Sequence, residues 1–202
     1  MLRVLFISLT VLVVDQITKL IVKCGLSLPF LGIEIKPMVY GTSIRLIGNL
    51  LKFTYIENPG MAFGIELGGK LSLSIFTLIA TLLIIYFIYK NRKESLLLRA
   101  ALAIILGGAL GNLVDRIFYS VIFNYAPLFY GKVVDFIHID IPDVTVFGKT
   151  FYSWPILNIA DLAVTTGFIM ILFGYKKIFI KSKEIDLKEK IESENISENH
   201  TN

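Results

Sequence analysis

The sequence predicts an all-α membrane protein: a four-transmembrane-helix bundle with a small β-rich or irregular extracytoplasmic cap made from two long outer loops. Two observations carry this. Hydrophobic residues make up 55% of the 202-residue chain and charged residues only 18%, for a mean hydropathy of +0.72. Those apolar residues also fall into four runs of roughly 20, and at about 1.5 Å per helical residue each run crosses about 30 Å of hydrocarbon. A soluble fold of this length would leave much of that apolar surface in water.

The spans are expected at about residues 2–22, 71–89, 96–118 and 156–175. The first is interrupted by Asp15, Gln16 and Lys19, while the second carries no charge. Arg3 ahead of an apolar run gives the first segment the look of a cleaved signal peptide. Asp15-Gln16 stands where a small-residue cleavage site belongs, however, and apolar residues resume at Leu20-Ile21-Val22, so a retained span is the better reading. Basic residues set the orientation. Arg3, the loop Lys90-Asn91-Arg92-Lys93 and Lys176-Lys177 all face the cytoplasm, which places both termini inside and both long connections outside. In those connections Ile33-Glu34-Ile35-Lys36 and Leu51-Lys52-Phe53-Thr54-Tyr55 alternate as half-buried strands do, and Val133-Val134-Asp135-Phe136-Ile137 is a short apolar run holding one acid. Residues 1–180 therefore read as one membrane domain. Residues 181–202, charged and without aromatics, read as a cytoplasmic tail.

The chain carries a net charge of +4, and its basic residues cluster at helix ends and in the terminal tail, which suits anionic headgroups rather than nucleic acid. A single cysteine, Cys24, leaves no disulfide framework. Two separated histidines, His138 and His200, offer no zinc site, so neither metal nor cofactor is expected.

The polar residues fall at one depth. On the expected topology Asp15 lies two thirds of the way out along the first span. Asn112, Asp115 and Arg116, at i, i+3 and i+4, lie near the outer end of the third. Asn158 and Asp161, at i and i+3, lie near the outer end of the fourth. An ionisable group at the bilayer centre costs about 2.5–3.5 kcal/mol on insertion scales and is normally turned inward and paired. The bland reading is an ion-paired network holding helices together, with Arg116 neutralising an acid. It holds its own for Asn112, Asp115 and Arg116, whereas Asp161 with Asn158 favours function. Asn58-Pro59-Gly60 before the second span is a turn signal, and Asp135 by itself reads as an acid facing water. With no Ser/His pair or metal cluster, carboxylates are the strongest chemical candidates. Two close acids can share a proton, one acting as base and the other polarising a carbonyl. The residues alone leave Asp15, Asp115, Asp135 and Asp161 all open for that pair.

At these positions the chain resembles the lipoprotein signal peptidases, the bacterial type II signal peptidases. The matching motifs are Asp15-Gln16-Ile17-Thr18-Lys19, Asn58-Pro59-Gly60-Met61-Ala62-Phe63, Gly111-Asn112-Leu113-Val114-Asp115-Arg116, Val133-Val134-Asp135-Phe136 and Asn158-Ile159-Ala160-Asp161. Their order on a four-span frame carries the likeness over roughly residues 4–175. The resemblance implies an aspartic endopeptidase of the bacterial cytoplasmic (inner) membrane, with its site at the extracytoplasmic face. It would cut prolipoproteins just before a diacylglyceryl-modified cysteine, with membrane lipids as surroundings, no cofactor, and no need to oligomerise. By the same resemblance Asp135 and Asp161 are the catalytic dyad. Asp15, Lys19, Asn58, Gly60, Asn112, Asp115, Arg116, Asn158 and Ala160 are substrate-binding or supporting. Three departures stand out. Met61 replaces a residue that is usually small, the stretch from Arg116 to Asp135 is longer than typical, and both Ile137–Pro155 and the region around Met38–Ile47 are extended. Two rival classes remain. A proton or ion carrier needs a polar path to the cytoplasmic side, which the uncharged stretch Gly167–Gly174 does not offer. A non-enzymatic assembly subunit would keep its function after Asp-to-Asn changes but lose stability.

Overall fold

A computed structural model describes residues 2–62, 65–66, 69–140, 144–146, 149–151 and 155–174. Four apolar helices form its frame: α1 (Leu2–Cys24), α2 (Gly69–Lys90), α3 (Leu96–Ile122) and α4 (Ile159–Gly174). Among the described residues the first three are long and apolar enough to cross a membrane, and α4 is shorter. The expected end of the fourth span at residue 175 and the tail at 181–202 lie outside the described residues.

Helix ends follow local chemistry. The Ser95 hydroxyl accepts the Leu98 N–H and starts α3, a side-chain cap for an otherwise unpaired donor. The fourth helix begins at Ile159 rather than 156, because Asn158 caps it and Pro155 precedes it. Near its end α3 widens into a π turn over Asp115–Tyr119 before closing with Ser120–Ile122. Such a turn inserts one residue into the helical ladder and re-aims the side chains around it.

A glycine seam on α3 allows close approach on two sides. A Cβ on Gly107 would lie 2.8 Å from the Ser8 carbonyl oxygen of α1, and one on Gly108 2.4 Å from the Ala160 carbonyl oxygen of α4. At Gly111 it would meet the Asp15 carboxylate at 2.4 Å.

The loop after α3 turns back along the π turn. Phe129 N–H donates to the Ile117 carbonyl at 3.2 Å, and Gly131 N–H donates to the Arg116 carbonyl at 2.9 Å. Gly131 sits so close that a Cβ would fall 1.9 Å from the Asp115 carbonyl oxygen. Gly131→Ala is therefore expected to push the following strand away from α3 and destabilise the protein by about 3 kcal/mol, the upper end for overpacking. Thermal unfolding in detergent measures this, and an unchanged Tm would show that the approach is not tight.

The sheet that follows is small. Antiparallel strands β1 (Leu26–Leu28) and β2 (Ile33–Ile35) make a hairpin at the end of α1. Strands β3 (Ser43–Ile47), β4 (Leu51–Asn58) and β7 (Val133–Ile139) form an antiparallel sheet in the order β3-β4-β7. Strands β5 (Met61–Ala62) with β6 (Ile65–Glu66), and β8 (Val144–Val146) with β9 (Lys149–Phe151), are separate two-stranded pairs. Strands thus form at all three stretches expected to alternate or run apolar, although β2 is exposed along its whole length rather than half-buried.

In β4 the register jumps between Phe53 and Ile56, which pair with Ile137 and Asp135 respectively. Thr54 and Tyr55 therefore lie opposite Phe136 as a bulge, a device common beside active sites. Tyr55, Val134 and Phe136 pack with Val22 of α1 and Tyr119 of α3 into the core beneath the sheet. Lys23 fastens the same corner by donating to Glu57 and, at 3.2 Å, to the Tyr55 hydroxyl. Burial alone would raise the Glu57 carboxyl, but hydrogen bonds from Lys23 and Tyr55 outweigh it and hold it below the ordinary carboxylate range.

Candidate active site

Strand β7 is fixed on both sides, and this places Asp135. Toward α3, Val134 N–H donates to Asp115 Oδ2 at 3.2 Å. Toward α4, Phe136 and Ile137 N–H both donate to the Leu157 carbonyl, at 2.9 and 2.7 Å, and Leu157 N–H returns a bond to the Ile137 carbonyl at 2.9 Å. The residue after Leu157 is Asn158, so that bridge lays the start of α4 against Asp135.

Asn158 and Asp161 then close the helix end reciprocally. Asn158 Oδ1 accepts the Asp161 N–H at 2.9 Å, and Asp161 Oδ2 accepts the Asn158 N–H at 3.2 Å. This is a capping box built from Asn and Asp, and it satisfies two otherwise orphaned helix donors. It leaves the Asn158 amide free to donate from Nδ2 to Asp135 Oδ1 at 2.6 Å and to Asn112 Oδ1 at 3.1 Å. Asn112 Nδ2 in turn donates to Asp161 Oδ1 at 2.9 Å. Asp135 and Asp161 are thus joined through two amides, Asn158 and Asn112, into one network.

Asn58 adds a further support. Its Oδ1 accepts the Gly60 N–H at 2.8 Å, forming the expected turn, and its side chain hydrogen-bonds Asp135. Gly60 has φ +114°, and a Cβ there would sit 2.5 Å from Leu73 and 3.5 Å from Arg116 Nη1. A side chain is excluded on both counts. Arg116 lies within electrostatic reach of Asp135 and Asp161, and its Nε is buried without a hydrogen-bond partner among the described residues.

The cation that pairs with the intramembrane acids is Lys19, where the sequence pointed to Arg116. Lys19 Nζ lies 2.8 Å from Asp15 Oδ2 and 2.9 Å from Asp115 Oδ2, with all three side chains fully buried. Asp15 Oδ1 accepts the Ala160 N–H at 2.8 Å, so this triad also holds the first turn of α4. Gln16, unassigned in the sequence reading, completes it: its amide donates to Asp115 Oδ1 at 2.9 Å and to the Gly111 carbonyl at 3.1 Å. Its signal was its place inside the polar interruption of an apolar span.

The candidate residues consequently separate into two groups. Asp15, Lys19, Asp115 and the Ala160 backbone form a buried structural triad and its anchor. Asn58, Asn112, Asp135, Asn158 and Asp161 form the carboxylate network. Lys19 joins the two, because its ammonium also donates to Asn112 Oδ1 at 3.0 Å.

Asp135 is 2% exposed. Burial pushes its carboxyl up to about 7, the negative charge of Asp161 adds to that rise, and hydrogen bonds from Asn158 and Asn58 oppose it. Such a group exchanges its proton near neutrality, as acid–base chemistry requires. Among the described residues no cluster of His, Cys, Asp or Glu could hold a metal ion.

Comparisons with known proteins place the chain in a family. A model of the family described as signal peptidase (SPase) II matches residues 7–176. A lipoprotein signal peptidase of Pelodictyon phaeoclathratiforme is 35% identical, over 87% of this chain and 92% of its own length. One from Amoebophilus asiaticus is 37% identical, over 82% of this chain and 74% of its own. A solved structure described as a bacterial membrane enzyme, determined by the in meso method at 2.3 Å, aligns with a TM-score of 0.62 and 32% identity, covering 87% of this chain and 88% of that one. Family match, relatives and apolar helices together make this chain a multi-pass membrane protein belonging to the signal peptidase II family.

Proposed function

We propose that the protein removes signal peptides from diacylglyceryl-modified prolipoproteins, cutting before the lipidated cysteine, with Asp135 and Asp161 activating the attacking water. The observation that carries this is the network joining the two acids through Asn158 and Asn112. In this reading the chain crosses the bacterial cytoplasmic membrane four times with both termini inside, and residues 1–180 form a single peptidase domain. The β4-β7 sheet caps the bundle on the extracytoplasmic side. A lipidated substrate lying in the bilayer then presents its scissile bond at the membrane surface, where α1, α3 and α4 bring their polar ends together.

The roles within the pair follow from their partners. Both Asp161 oxygens accept N–H bonds, from Asn112 and from the Asn158 backbone, a pattern a carboxylate satisfies without a proton of its own. Asp135, with its carboxyl raised to about 7, holds the shared proton. Asp161 takes a proton from water as the water oxygen bonds to the scissile carbonyl carbon, and Asp135 donates its proton to the carbonyl oxygen. Collapse of the tetrahedral intermediate breaks the C–N bond: the departing amine leaves with the proton from Asp161, and one hydroxyl of the intermediate returns its proton to Asp135 as the new carboxyl group forms. Arg116, half-buried within electrostatic reach of both acids, stabilises the oxygen on which charge develops. Asn58, Asn112 and Asn158 keep the carboxylates in register.

The test uses the full chain in vesicles with a diacylglyceryl-prolipoprotein substrate. The wild-type protein is expected to release the signal peptide from the lipidated substrate and to leave its unlipidated counterpart intact. Asp161→Asn is expected to insert normally and let the lipidated precursor accumulate. Complete processing by this variant would overturn the dyad. Equal cleavage of the unlipidated precursor would overturn the substrate class.

A further inference from the structure

The β1–β2 hairpin is the part of the protein that the catalytic reading leaves unused, and its chemistry is one-sided. Leu26 pairs with Ile35, Ser27 with Glu34 and Leu28 with Ile33. Side chains alternate across a strand and directly paired residues share a face, so Leu26, Leu28, Ile33 and Ile35 cover one side while Ser27 and Glu34 cover the other. The tip, Pro29–Leu31, is a single 3-10 turn closed by Gly32 in the left-handed conformation at φ 66°. It projects Phe30, 80% exposed, and Leu31, 60% exposed. None of these apolar residues belongs to the buried core among the described residues. A lone two-stranded ribbon is marginal in water unless something covers its apolar face.

The position of the hairpin identifies the cover. Only Gly25 separates β1 from α1, and both legs are bonded to the last turn of that membrane helix. Gly25 N–H donates to the Ile21 carbonyl at 2.9 Å, and Met38 N–H donates to the Val22 carbonyl at 2.9 Å. The legs meet closely, since a Cβ on Gly25 would stand 2.4 Å from the Ile35 carbonyl oxygen. The base of the ribbon is therefore fixed where α1 leaves the hydrocarbon, and three residues per strand reach about 10 Å from it. That is the depth range of the headgroup and upper acyl region, in which amphipathic elements lie flat with their apolar side down.

We propose that the β1–β2 hairpin is a lipid-facing interfacial anchor, laying its aliphatic face, Phe30 and Leu31 into the leaflet at the Cys24 end of α1. Ser27 and Glu34 stay in water. Exposed apolar residues of α1, from Phe6 to Leu20, precede the hairpin by a few residues, so the bilayer lipid around that helix is the cover nearest to the hairpin. With its base tied to Val22, part of the core under the sheet, the anchored ribbon sets the height of β4 and β7 above the membrane.

The chain holds one cysteine, so Cys24→Ser gives a background for single labels. Spin labels on Phe30→Cys, Ile33→Cys and Glu34→Cys are compared in full-length protein in nanodiscs of phosphatidylcholine and phosphatidylglycerol. Collisions with lipid-soluble oxygen and with a water-soluble nickel chelate are measured for each. The expected ratio of oxygen to nickel collisions is severalfold higher at positions 30 and 33 than at position 34. Equal ratios at 30 and 34 would overturn the proposal by placing the hairpin in water. Shielding of position 30 from both reagents would overturn it in favour of a protein cover, such as a second copy of the chain. An independent measurement uses Phe30→Trp with Trp154→Phe, which removes the chain's single native tryptophan. Fluorescence quenched by brominated lipid and spared by aqueous iodide supports the anchor, and the reverse pattern overturns it.

Discussion

Replacing Asp135 by Asn is expected to abolish cleavage and, at the same time, to stabilise the protein above neutral pH. The loss of activity should be on the order of 10⁴-fold, the scale seen when one member of a cooperating catalytic group is removed. The gain in stability follows from where the acid sits. Its carboxyl, ordinarily at 3.8, is raised to about 7, chiefly by burial. The folded protein therefore holds that proton more tightly than the unfolded chain. The resulting stabilisation is complete below about pH 4 and is lost as the pH rises through about 7, where a buried charge must form. Across that window this one group removes about 4 kcal/mol from the wild-type protein, whereas Asn keeps the acceptor for Asn158 and carries no charge. Thermal unfolding in detergent from pH 4 to pH 9 should show the variant's advantage in Tm opening between pH 4 and 7 and then levelling. An advantage that does not change with pH would refute the environment assigned to Asp135. A variant that is both more stable and inactive is the pattern of a residue kept for chemistry at a cost in stability.

Lys19→Met is expected to do the opposite and damage the fold first. The ammonium lies between the carboxylates of Asp15 and Asp115, and all three side chains are withdrawn from the surface. Removing it leaves two acids facing each other without a counter-charge, which typically costs about 3–5 kcal/mol. Yield and Tm should fall accordingly. Adding Asp115→Asn should restore part of the loss, because only one uncompensated acid remains, and the non-additivity of the pair measures the coupling. The restored double variant should still cleave slowly. Asn112 has lost the bond from Lys19 Nζ that steadies its side chain, and Asn112 holds Asp161. A fall in kcat with KM little changed marks this positioning effect and separates it from weakened substrate binding. A single variant as stable as the wild type would overturn the buried triad.

The legible parts of this protein were those written in local spacing. Asn158 and Asp161, three apart, were expected on one helix face, and that separation also lets them cap a helix reciprocally. The alternation at Leu51–Tyr55 and the apolar run at Val133–Ile137 became β4 and β7. What stayed hidden depends on distance across the chain. Lys19 meets Asp115 from a different helix, so nothing near Lys19 in the sequence reveals the pair. Arg116 was expected to neutralise an acid, but the cation in ion-pair contact with the buried acids is Lys19, while Arg116 lies within electrostatic reach of Asp135, Asp115 and Asp161. Asp135 read as a solvated acid because its burial comes from α3 and the start of α4, elements remote from it in sequence. Only the ordered set of motifs pointed to it. The exposure of β2 was illegible for another reason: alternation predicts a covered face but does not say whether protein or lipid covers it.

The glycine seam along α3 also has a mechanical consequence. With the α1 backbone close against Gly107, the α4 backbone against Gly108, and the Asp15 and Ala160 side chains against Gly111, there is little slack for one helix to slide past another. The trio behaves as a stiff wedge, so a bilayer of unsuitable thickness is accommodated by leaning the whole wedge rather than by shearing it. The carboxylates then shift in height together, and their mutual geometry survives in membranes of different composition.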